Sequence, residues 1–188
     1  MSRGHLFVLS GPSGAGKGTL RKILFQQLGG LVYSISCTTR EKRNEEIEGR
    51  DYFFVSYERF ETMIKHGDFL EWANVHGNYY GTRRADVETS LELNCDIVLE
   101  IDVQGSRQIK AIMPEAVRIF ITVDSLDSLE ERLEDRGTET QEQLTRRLRN
   151  AAAEMKYARE CEHIVLNDNL EIASEKLADI VKSYRNAG

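Results

Sequence analysis

The chain has 188 residues, of which 40% are hydrophobic and 30% charged, with a net charge of −6. This composition excludes a disordered or fibrous chain and predicts a soluble protein with one main core. The negative charge argues against a general nucleic-acid or membrane-surface binder, because such proteins present a dominant basic face. Any anionic ligand must therefore meet locally placed cations.

The lack of a recognisable targeting segment and the spacing of the cysteines bear on the cellular compartment. The first apolar run, Leu6 to Leu9, is too short for a signal peptide, and no stretch is long enough to span a membrane. Cys37, Cys95 and Cys161 form no CxxC pair, which predicts three buried free thiols. We therefore expect a cytoplasmic protein with neither a disulfide framework nor a zinc site. The sequence leaves monomer and homodimer open.

Strand and helix patterns alternate along the chain. Residues 6–9 predict a short buried strand, and leucines four apart from Leu20 to Leu28 predict the next helix, ended by Gly29 and Gly30. Three later runs rich in β-branched residues predict buried parallel strands, at residues 97–102, 117–123 and 164–166. We therefore expect an α/β fold with a parallel core sheet.

Two segments differ from this core, which takes residues 1–33, 83–124 and 151–188. Residues 34–82 are rich in aromatic side chains and glycine turns, which predicts a mixed-sheet insertion. Residues 125–150 alternate in charge and predict two helices joined by Gly137, the second opened by a capping box from Thr140 to Gln143. We interpret this second segment as a mobile lid, with a solvated surface hairpin as the alternative.

A glycine-rich stretch, residues 11–19, lies between the first strand and the first helix. Glycines let backbone N–H groups curl around phosphate oxygens, and the helix N-terminus adds the positive end of its dipole. Lys17 can reach the same phosphates. Gly18 stands where the general pattern has Ser or Thr, so the hydroxyl usually expected on Mg²⁺ is missing there, although Thr19 follows. A flexible glycine turn is the alternative interpretation.

Several motifs occur together in one order and cover nearly the whole chain. They are G-A-G-K-G-T at 14–19, S-I-S-C-T-T-R at 34–40, G-R-D-Y-F-F-V at 49–55, F-L-E-W-A at 69–73, G-N-Y-Y-G-T at 77–82, E-I-D-V-Q-G at 100–105, R-G-T-E-T at 136–140 and V-L-N-D at 165–168. This set strongly resembles guanylate kinases. The resemblance implies a P-loop three-layer sandwich with a GMP-binding insertion and a helical lid, and transfer of a phosphoryl group from ATP to GMP with Mg²⁺. Acceptance of dGMP is expected too, because no residue obviously reads the 2′-hydroxyl.

The resemblance implies a GMP site. Guanine carries N1–H and N2–H₂ donors beside the O6 acceptor, so the Glu71 carboxylate matches the donors and a hydroxyl of Ser36 or Thr82 matches the acceptor. Planar guanidinium groups suit the GMP phosphate, and Glu46 is expected to support one of them. The implied GMP-binding residues are Ser36, Arg40, Arg43, Glu46, Tyr52, Glu71, Tyr80, Thr82, Glu100 and Asp102. Core packing is the expectation for Phe53, Phe54, Phe60 and Trp72.

Two acids and three arginines complete the implied chemistry. Glu100 and Asp102 are two apart on the predicted strand, so both would point to one face. By resemblance such acids hold Mg²⁺ through water or orient arginines; the direct Mg²⁺ ligands stay open, and structural ion pairing is the alternative. The implied catalytic residues are Lys17, Arg40, Asp102, Arg132, Arg136 and Arg147, with exposed ion pairing as the alternative for the lid arginines. Arg146 and Arg149 are interpreted as surface residues.

The implied ATP site combines the glycine-rich stretch with one later residue. Its residues are Gly11, Pro12, Ser13, Gly14, Ala15, Gly16, Lys17, Gly18, Thr19 and Asn167, the last with a turn-forming asparagine as the alternative. Two other functions stay in view. One is an inactive guanylate-kinase-like interaction module, although Gly16, Lys17 and Thr19 are intact. The other is a kinase for a different monophosphate such as AMP or UMP, against which Glu71 argues.

Overall fold

A computed structural model describes residues 3–75, 77–134 and 141–187. In these ranges the strands are β1 Leu6–Ser10, β2 Leu31–Tyr33, β3 Cys37–Thr38, β4 Phe53–Phe54, β5 Phe69–Val75, β6 Asn78–Arg83, β7 Asp96–Glu100, β8 Val117–Thr122 and β9 His163–Leu166. The helices are α1 Lys17–Gln27, α2 Tyr57–His66, α3 Arg84–Glu92, α4 Val103–Ile112, α5 Leu126–Glu134, α6 Gln141–Met155 and α7 Leu170–Ala187, with a 3₁₀-helix at Lys156–Glu160.

The strands form two sheets. A five-stranded sheet has the order β2-β7-β1-β8-β9, and a four-stranded sheet has the order β4-β3-β6-β5. The pairs β2–β7, β1–β8 and β8–β9 are parallel, whereas the smaller sheet mixes one parallel pair with two antiparallel pairs. The predicted α/β fold with a parallel core sheet and a mixed-sheet insertion is therefore confirmed.

The chain divides into two compact units, and the first comprises residues 1–6 and 30–116. In this unit the small sheet packs on α2 through a cluster of Cys37, Phe60, Met63 and Phe69, in which the Phe60 and Phe69 rings stack with centroids 4.3 Å apart. The core prediction is confirmed for Phe60, which is fully buried. It is wrong for Trp72, which is 37% exposed, whereas Phe53 and Phe54 are half-buried.

The second unit comprises residues 7–29 and 117–188. All five residues of β1 are buried, as expected for a strand inside a parallel sheet. The helices α5 and α6 share a small core made by Val123, Leu129, Leu133, Leu144 and Ala151. The two predicted helices of the 125–150 segment are present, while the predicted Gly137 joint and the Thr140 cap lie outside the described residues.

The cysteines and the helices bear on the expected compartment. All three cysteines are free, but only Cys37 is buried, while Cys95 and Cys161 are half-buried. The expectation of three buried thiols is therefore wrong for two of them, because both lie in or next to turns that end secondary structure. Across residues 3–75, 77–134 and 141–187, we find no helix with the length and apolarity needed to cross a membrane.

Candidate nucleotide-binding site

The loop from Gly11 to Gly16 joins β1 to α1 in the second unit. Gly11 has φ of 138°, and a β-carbon there would overlap the carbonyl oxygen of Ile121, so only glycine fits. Gly16, with φ of 86°, is the N-cap of α1 and has no side chain to occupy the first helical N–H groups. The loop therefore offers backbone donors and a helix N-terminus at one place, which is the geometry that binds phosphate.

Lys17 is folded back over this loop. Its Nζ donates to the carbonyl oxygens of Gly11 at 2.6 Å and Pro12 at 3.0 Å. These contacts keep the ammonium group beside the loop that the sequence predicted to hold phosphate. Because an ammonium group acts as a mobile point charge, Lys17 can exchange carbonyl contacts for phosphate oxygens.

Asn167 ties the loop to the segment after β9. Its side-chain Nδ2 donates to the carbonyl oxygen of Ala15 at 2.7 Å, and its backbone N–H donates to Thr122 at 2.8 Å. Arg132 of α5 donates to the Asn167 carbonyl oxygen at 2.7 Å. Asn167 is therefore more than a turn former, because its buried amide fixes the loop itself.

A cavity of about 310 Å³ adjoins the loop within the second unit. Four predicted residues line it, Gly14, Gly16, Thr19 and Asn167, together with the predicted lid residue Arg132. Asp168 also lines the cavity. Sequence reasoning did not assign Asp168 to the site, although the V-L-N-D motif contains it.

Of the two remaining lid arginines, the structure describes Arg147 but not Arg136. Arg147 lies on α6 and is half-buried. Arg136 lies outside the described residues, so its implied catalytic role stays a prediction. Arg146 and Arg149 on α6 are exposed, in agreement with their interpretation as surface residues.

In the first unit, the Arg40 side chain is held in place by a hydrogen bond to Glu46. Glu46 accepts from the Arg40 guanidinium at 2.6 Å through Oε1, and its Oε2 accepts from the backbone N–H of Arg43 at 2.9 Å. Burial disfavours both charges, but the hydrogen bond between them outweighs it, raising the pKa of Arg40 and lowering the pKa of Glu46. The predicted support by Glu46 thus acts on the Arg40 side chain, whereas the Arg43 side chain is exposed.

Aromatic rings surround this guanidinium. Arg40 lies over the Tyr52 ring at 5.4 Å, and the Tyr52 and Tyr80 rings meet edge to face at 6.0 Å. Burial raises the pKa of Tyr52, so its hydroxyl stays protonated and remains a donor at neutral pH. Arg40, Tyr52 and Tyr80 therefore form one cluster of donors with a positive charge at its centre.

Glu71 and Thr82 face each other across β5 and β6. Thr82 Oγ1 donates to Glu71 Oε1 at 2.5 Å, and the two side chains are 4% and 0% exposed. Burial, with a smaller contribution from the nearby Asp102, raises the pKa of Glu71 to about 7. Ser36, the other predicted base reader, is also buried. The fold thus holds two of the predicted base readers, a carboxylate and a hydroxyl, in direct contact, and their hydrogen bond offsets part of the cost of burying them.

The prediction that Glu100 and Asp102 share one strand face is wrong. β7 ends at Glu100, and Asp102 is the N-cap of α4, where its Oδ1 accepts from the Gly105 N–H at 2.8 Å. The strand ends before Asp102 because aspartate is a favourable N-cap residue. Its side chain accepts from a backbone N–H in the first turn of α4 that would otherwise have no partner within the helix. Asp102 Oδ2 also accepts from Gln104 at 2.9 Å. The Asp102 carboxylate thus caps α4.

All the predicted GMP-binding residues belong to the first unit, and all the predicted ATP-binding residues belong to the second. Sequence reasoning gave no role to Gly105, although a β-carbon there would overlap Glu71 Oε2. The sequence did carry a signal, because the glycine of the E-I-D-V-Q-G motif lies at the start of a helix. Glycine weakens a helix, so its presence there indicates that another group approaches closely.

The parallel sheet, the glycine loop after its first strand and the lysine that opens α1 define a nucleotide-binding protein of the P-loop class. Comparison with known proteins narrows this class, because the family model described as guanylate kinase matches residues 3–184. The chain belongs to the guanylate kinase family.

Individual relatives agree with the family assignment. Guanylate kinase of Oceanobacillus iheyensis is 48% identical over 96% of this chain and 88% of its own length. Guanylate kinase of Desulfitobacterium hafniense is 46% identical over 96% of this chain and 90% of its own. The crystal structure of guanylate kinase from Anaplasma phagocytophilum superposes with a TM-score of 0.82 at 30% identity, covering 97% of this chain and 87% of that one.

Proposed function

We propose that this protein transfers the γ-phosphoryl group of ATP to GMP, and also to dGMP, giving ADP and the corresponding diphosphate. The observation that carries the proposal is the buried pair of Glu71 and Thr82. The Glu71 carboxylate accepts from guanine N1–H and N2–H₂, whereas adenine would leave it unpaired. Because Thr82 already donates its one hydroxyl proton to Glu71, the Ser36 hydroxyl is the donor to O6.

On the acceptor side, the GMP phosphate meets the cluster around Arg40. Arg40, Arg43, Tyr52 and Tyr80 donate to its oxygens, and Glu46 holds Arg40 in place. No general base is required, because the phosphate has a second pKa of about 6 and is already a nucleophilic anion at neutral pH. We assign Glu100 and Asp102 to the same site as electrostatic and positioning groups.

On the donor side, the loop from Gly11 to Thr19 cradles the phosphates of ATP. Lys17 neutralises charge that develops on the transferred group, and Arg132, Arg136 and Arg147 add positive charge as the lid residues. Asn167 holds the loop at Ala15. Residues 125–150 act as a lid that excludes water, so that ATP is not hydrolysed in place of GMP phosphorylation.

Mg²⁺ accompanies ATP in this proposal and neutralises phosphate charge when bound. The described residues contain no group of three or more metal-ligating side chains. Mg²⁺ does not need such a group, because it keeps several waters and takes substrate phosphates as ligands. Thr19, which directly follows Gly18 and whose exposed side chain lines the cavity beside the loop, supplies a hydroxyl in place of the one missing at Gly18.

Two other functions make different predictions. An interaction module that has lost catalysis has no need of Lys17, yet this lysine is folded onto an intact loop. A kinase for AMP, UMP or CMP has no use for a buried carboxylate paired with a hydroxyl at its base site. We further propose that the protein works in a reducing cytoplasm, consistent with its free cysteines, and has no nucleic-acid or membrane partner.

A coupled assay of ADP release tests the proposal. With ATP and Mg²⁺, turnover is expected with GMP and dGMP and close to background with AMP, UMP and CMP. Lys17→Met should remove most turnover while leaving GMP binding intact, because the lysine acts on the transferred phosphoryl group. Equal rates with all four ribonucleotides, or near-normal turnover by Lys17→Met, would overturn the assignment.

A further inference from the structure

Gly105 occupies a position that its backbone does not explain. It lies in the first turn of α4 and is not among the residues with positive φ. Any residue can adopt such a conformation, and alanine would strengthen the helix. The reason for glycine must therefore be what lies against it.

The group against Gly105 is the carboxylate of Glu71. A β-carbon at position 105 would lie 2.9 Å from Glu71 Cδ and would overlap Oε2. Thr82 holds the other oxygen, Oε1, at 2.5 Å. One carboxylate oxygen is thus bound from β6, and the other rests in the space that the glycine leaves on α4.

Gln108 holds the neighbouring residue of β5 from the same helix face. Its Oε1 accepts from the Trp72 N–H at 3.2 Å, and its Nε2 donates to the Trp72 carbonyl oxygen at 2.7 Å. β5 is the edge strand of its sheet, so Gln108 supplies the pairing that a further strand would give. Because positions three apart share a helix face, Gly105 and Gln108 act together on two consecutive strand residues.

We propose that Gly105 and Gln108 are positioning residues for guanine recognition. Helix α4 fixes the Glu71 carboxylate in two ways: Gly105 leaves space for its Oε2, and Gln108 binds the backbone of the next residue, Trp72. The inference rests on the proposed function, in which Glu71 reads the base. Both donors of guanine pair with one carboxylate only if its plane and position are fixed, so a displaced Glu71 loses contacts to N1–H and N2–H₂ together.

Two variants test the proposal in the full-length enzyme. Gly105→Ala should raise the KM for GMP by at least about tenfold, since charged hydrogen bonds are lost or misaligned. Gln108→Met keeps the side-chain length but removes both hydrogen bonds, and should raise that KM by about threefold or more. In both variants the KM for ATP and the kcat at saturating GMP should stay within about twofold of the wild type, a span of a few tenths of a kcal/mol.

The choice of acceptor separates positioning from general damage. IMP lacks the 2-amino group, so it gains less from a well-placed carboxylate than GMP does. Both variants should therefore lower the preference for GMP over IMP in kcat/KM. Gly29→Ala, where a β-carbon meets nothing within 4 Å, and Gln26→Met, at an exposed position of α1, are the matched controls and should leave the preference unchanged.

A double-mutant cycle gives the decisive comparison. In a Glu71→Ala background, Gly105→Ala should add little, because the overlapping carboxylate is gone. An unchanged KM for GMP in Gly105→Ala, or an equal rise in the Glu71→Ala background, would overturn the proposal. If Gly105→Ala does not fold, as judged by its thermal unfolding, Gln108→Met decides alone. A wild-type protein without GMP-dependent ADP release would instead overturn the proposed function.

Discussion

In the proposed site, one buried carboxyl, Glu71, should make recognition of GMP depend on pH. Its pKa of about 7 means that it loses its proton near neutrality. Because only the carboxylate accepts from both guanine donors, GMP affinity should fall as the pH drops below about 7. Calorimetric titration with GMP between pH 5.5 and 8.5 measures this affinity. Glu71→Gln is the reference, because in this variant the GMP phosphate still titrates while the side chain at position 71 does not.

The two pH profiles must differ in shape for this prediction to hold. Glu71→Gln should bind GMP at least about tenfold more weakly at pH 8, because the amide meets guanine with one donor group in place of an acceptor. The exposed Glu45 provides the matched control, and Glu45→Gln should reproduce the wild-type profile. Parallel profiles for wild type and Glu71→Gln would show that another group titrates.

The same carboxyl should make stability depend on pH in the direction opposite to that of most acids. Its pKa is raised from 4.5 to about 7, so the folded state holds the proton more tightly than the unfolded state. The stabilisation is complete below about pH 4.5 and is lost as the pH rises through about 7, a contribution of roughly 3 kcal/mol. Urea unfolding of wild type and Glu71→Gln across this range measures it; identical pH slopes would contradict it.

At the scale of strands and helices, an ion pair with a buried arginine joins β8 to the chain before β9. Arg118, 4% exposed, donates to Glu162 at 2.9 and 3.1 Å and to the Tyr157 hydroxyl at 3.0 Å. Arg118→Met should lower the free energy of unfolding by about 2 kcal/mol, because the hydroxyl of the buried Tyr157 loses its donor, whereas water can solvate the exposed Glu162. Denaturant unfolding measures the change.

An exposed ion pair serves as the control for this experiment. Lys182 and Asp179 lie 3.0 Å apart on α7 with side chains 53% and 73% exposed. Lys182→Met should cost less than about 1 kcal/mol, since water screens such a pair. Equal costs for the two substitutions would mean that burial does not strengthen the Arg118 pair.

Patterns local to one segment were predicted well from the sequence. The apolar run of β1, the glycine loop and the following helix each have a pattern that can be recognised within about twenty residues. The start of the helix was less exact, because α1 begins at Lys17, three residues before the first predicted leucine. The three residues of β2 were not predicted, because so short a strand shows no periodicity. Residues contributed by distant segments, such as Gly105 beside Glu71, could not be paired by spacing alone.

The errors have equally local physical causes. Trp72 was expected in the core, yet side chains alternate along β5, and the inward positions go to Glu71 and Ala73. A sequence does not tell which face of an edge strand is buried when a charged and an aromatic residue are neighbours. Likewise, the cap made by Asp102 on α4 ended β7 two residues before the predicted boundary.

Over the whole molecule, a net charge of −6 accompanies the two proposed anion-binding sites. The positive groups must therefore act over short range, and salt should weaken them. Raising the ionic strength from about 0.1 M to about 1 M shortens the screening length from roughly 10 to 3 Å, so the KM for ATP and for GMP should both rise. Steady-state kinetics at several NaCl concentrations measures this.

An uncharged solute distinguishes screening from a general solvent effect. Sucrose at matched osmolality should leave both KM values close to those in dilute buffer, because it screens no charge. If NaCl and sucrose act alike, or if neither KM responds to NaCl, local electrostatics would not account for nucleotide binding.

The outward-facing Trp72 gives the protein a built-in optical reporter. It is the only tryptophan in the chain, it directly follows Glu71, and its ring meets Tyr79 edge to face at 5.7 Å. Indole emission is sensitive to the polarity around the ring, so guanine binding at the proposed site beside it should alter the fluorescence of this one chromophore. Nucleotide titrations, including those of every variant named above, can therefore be followed without a label.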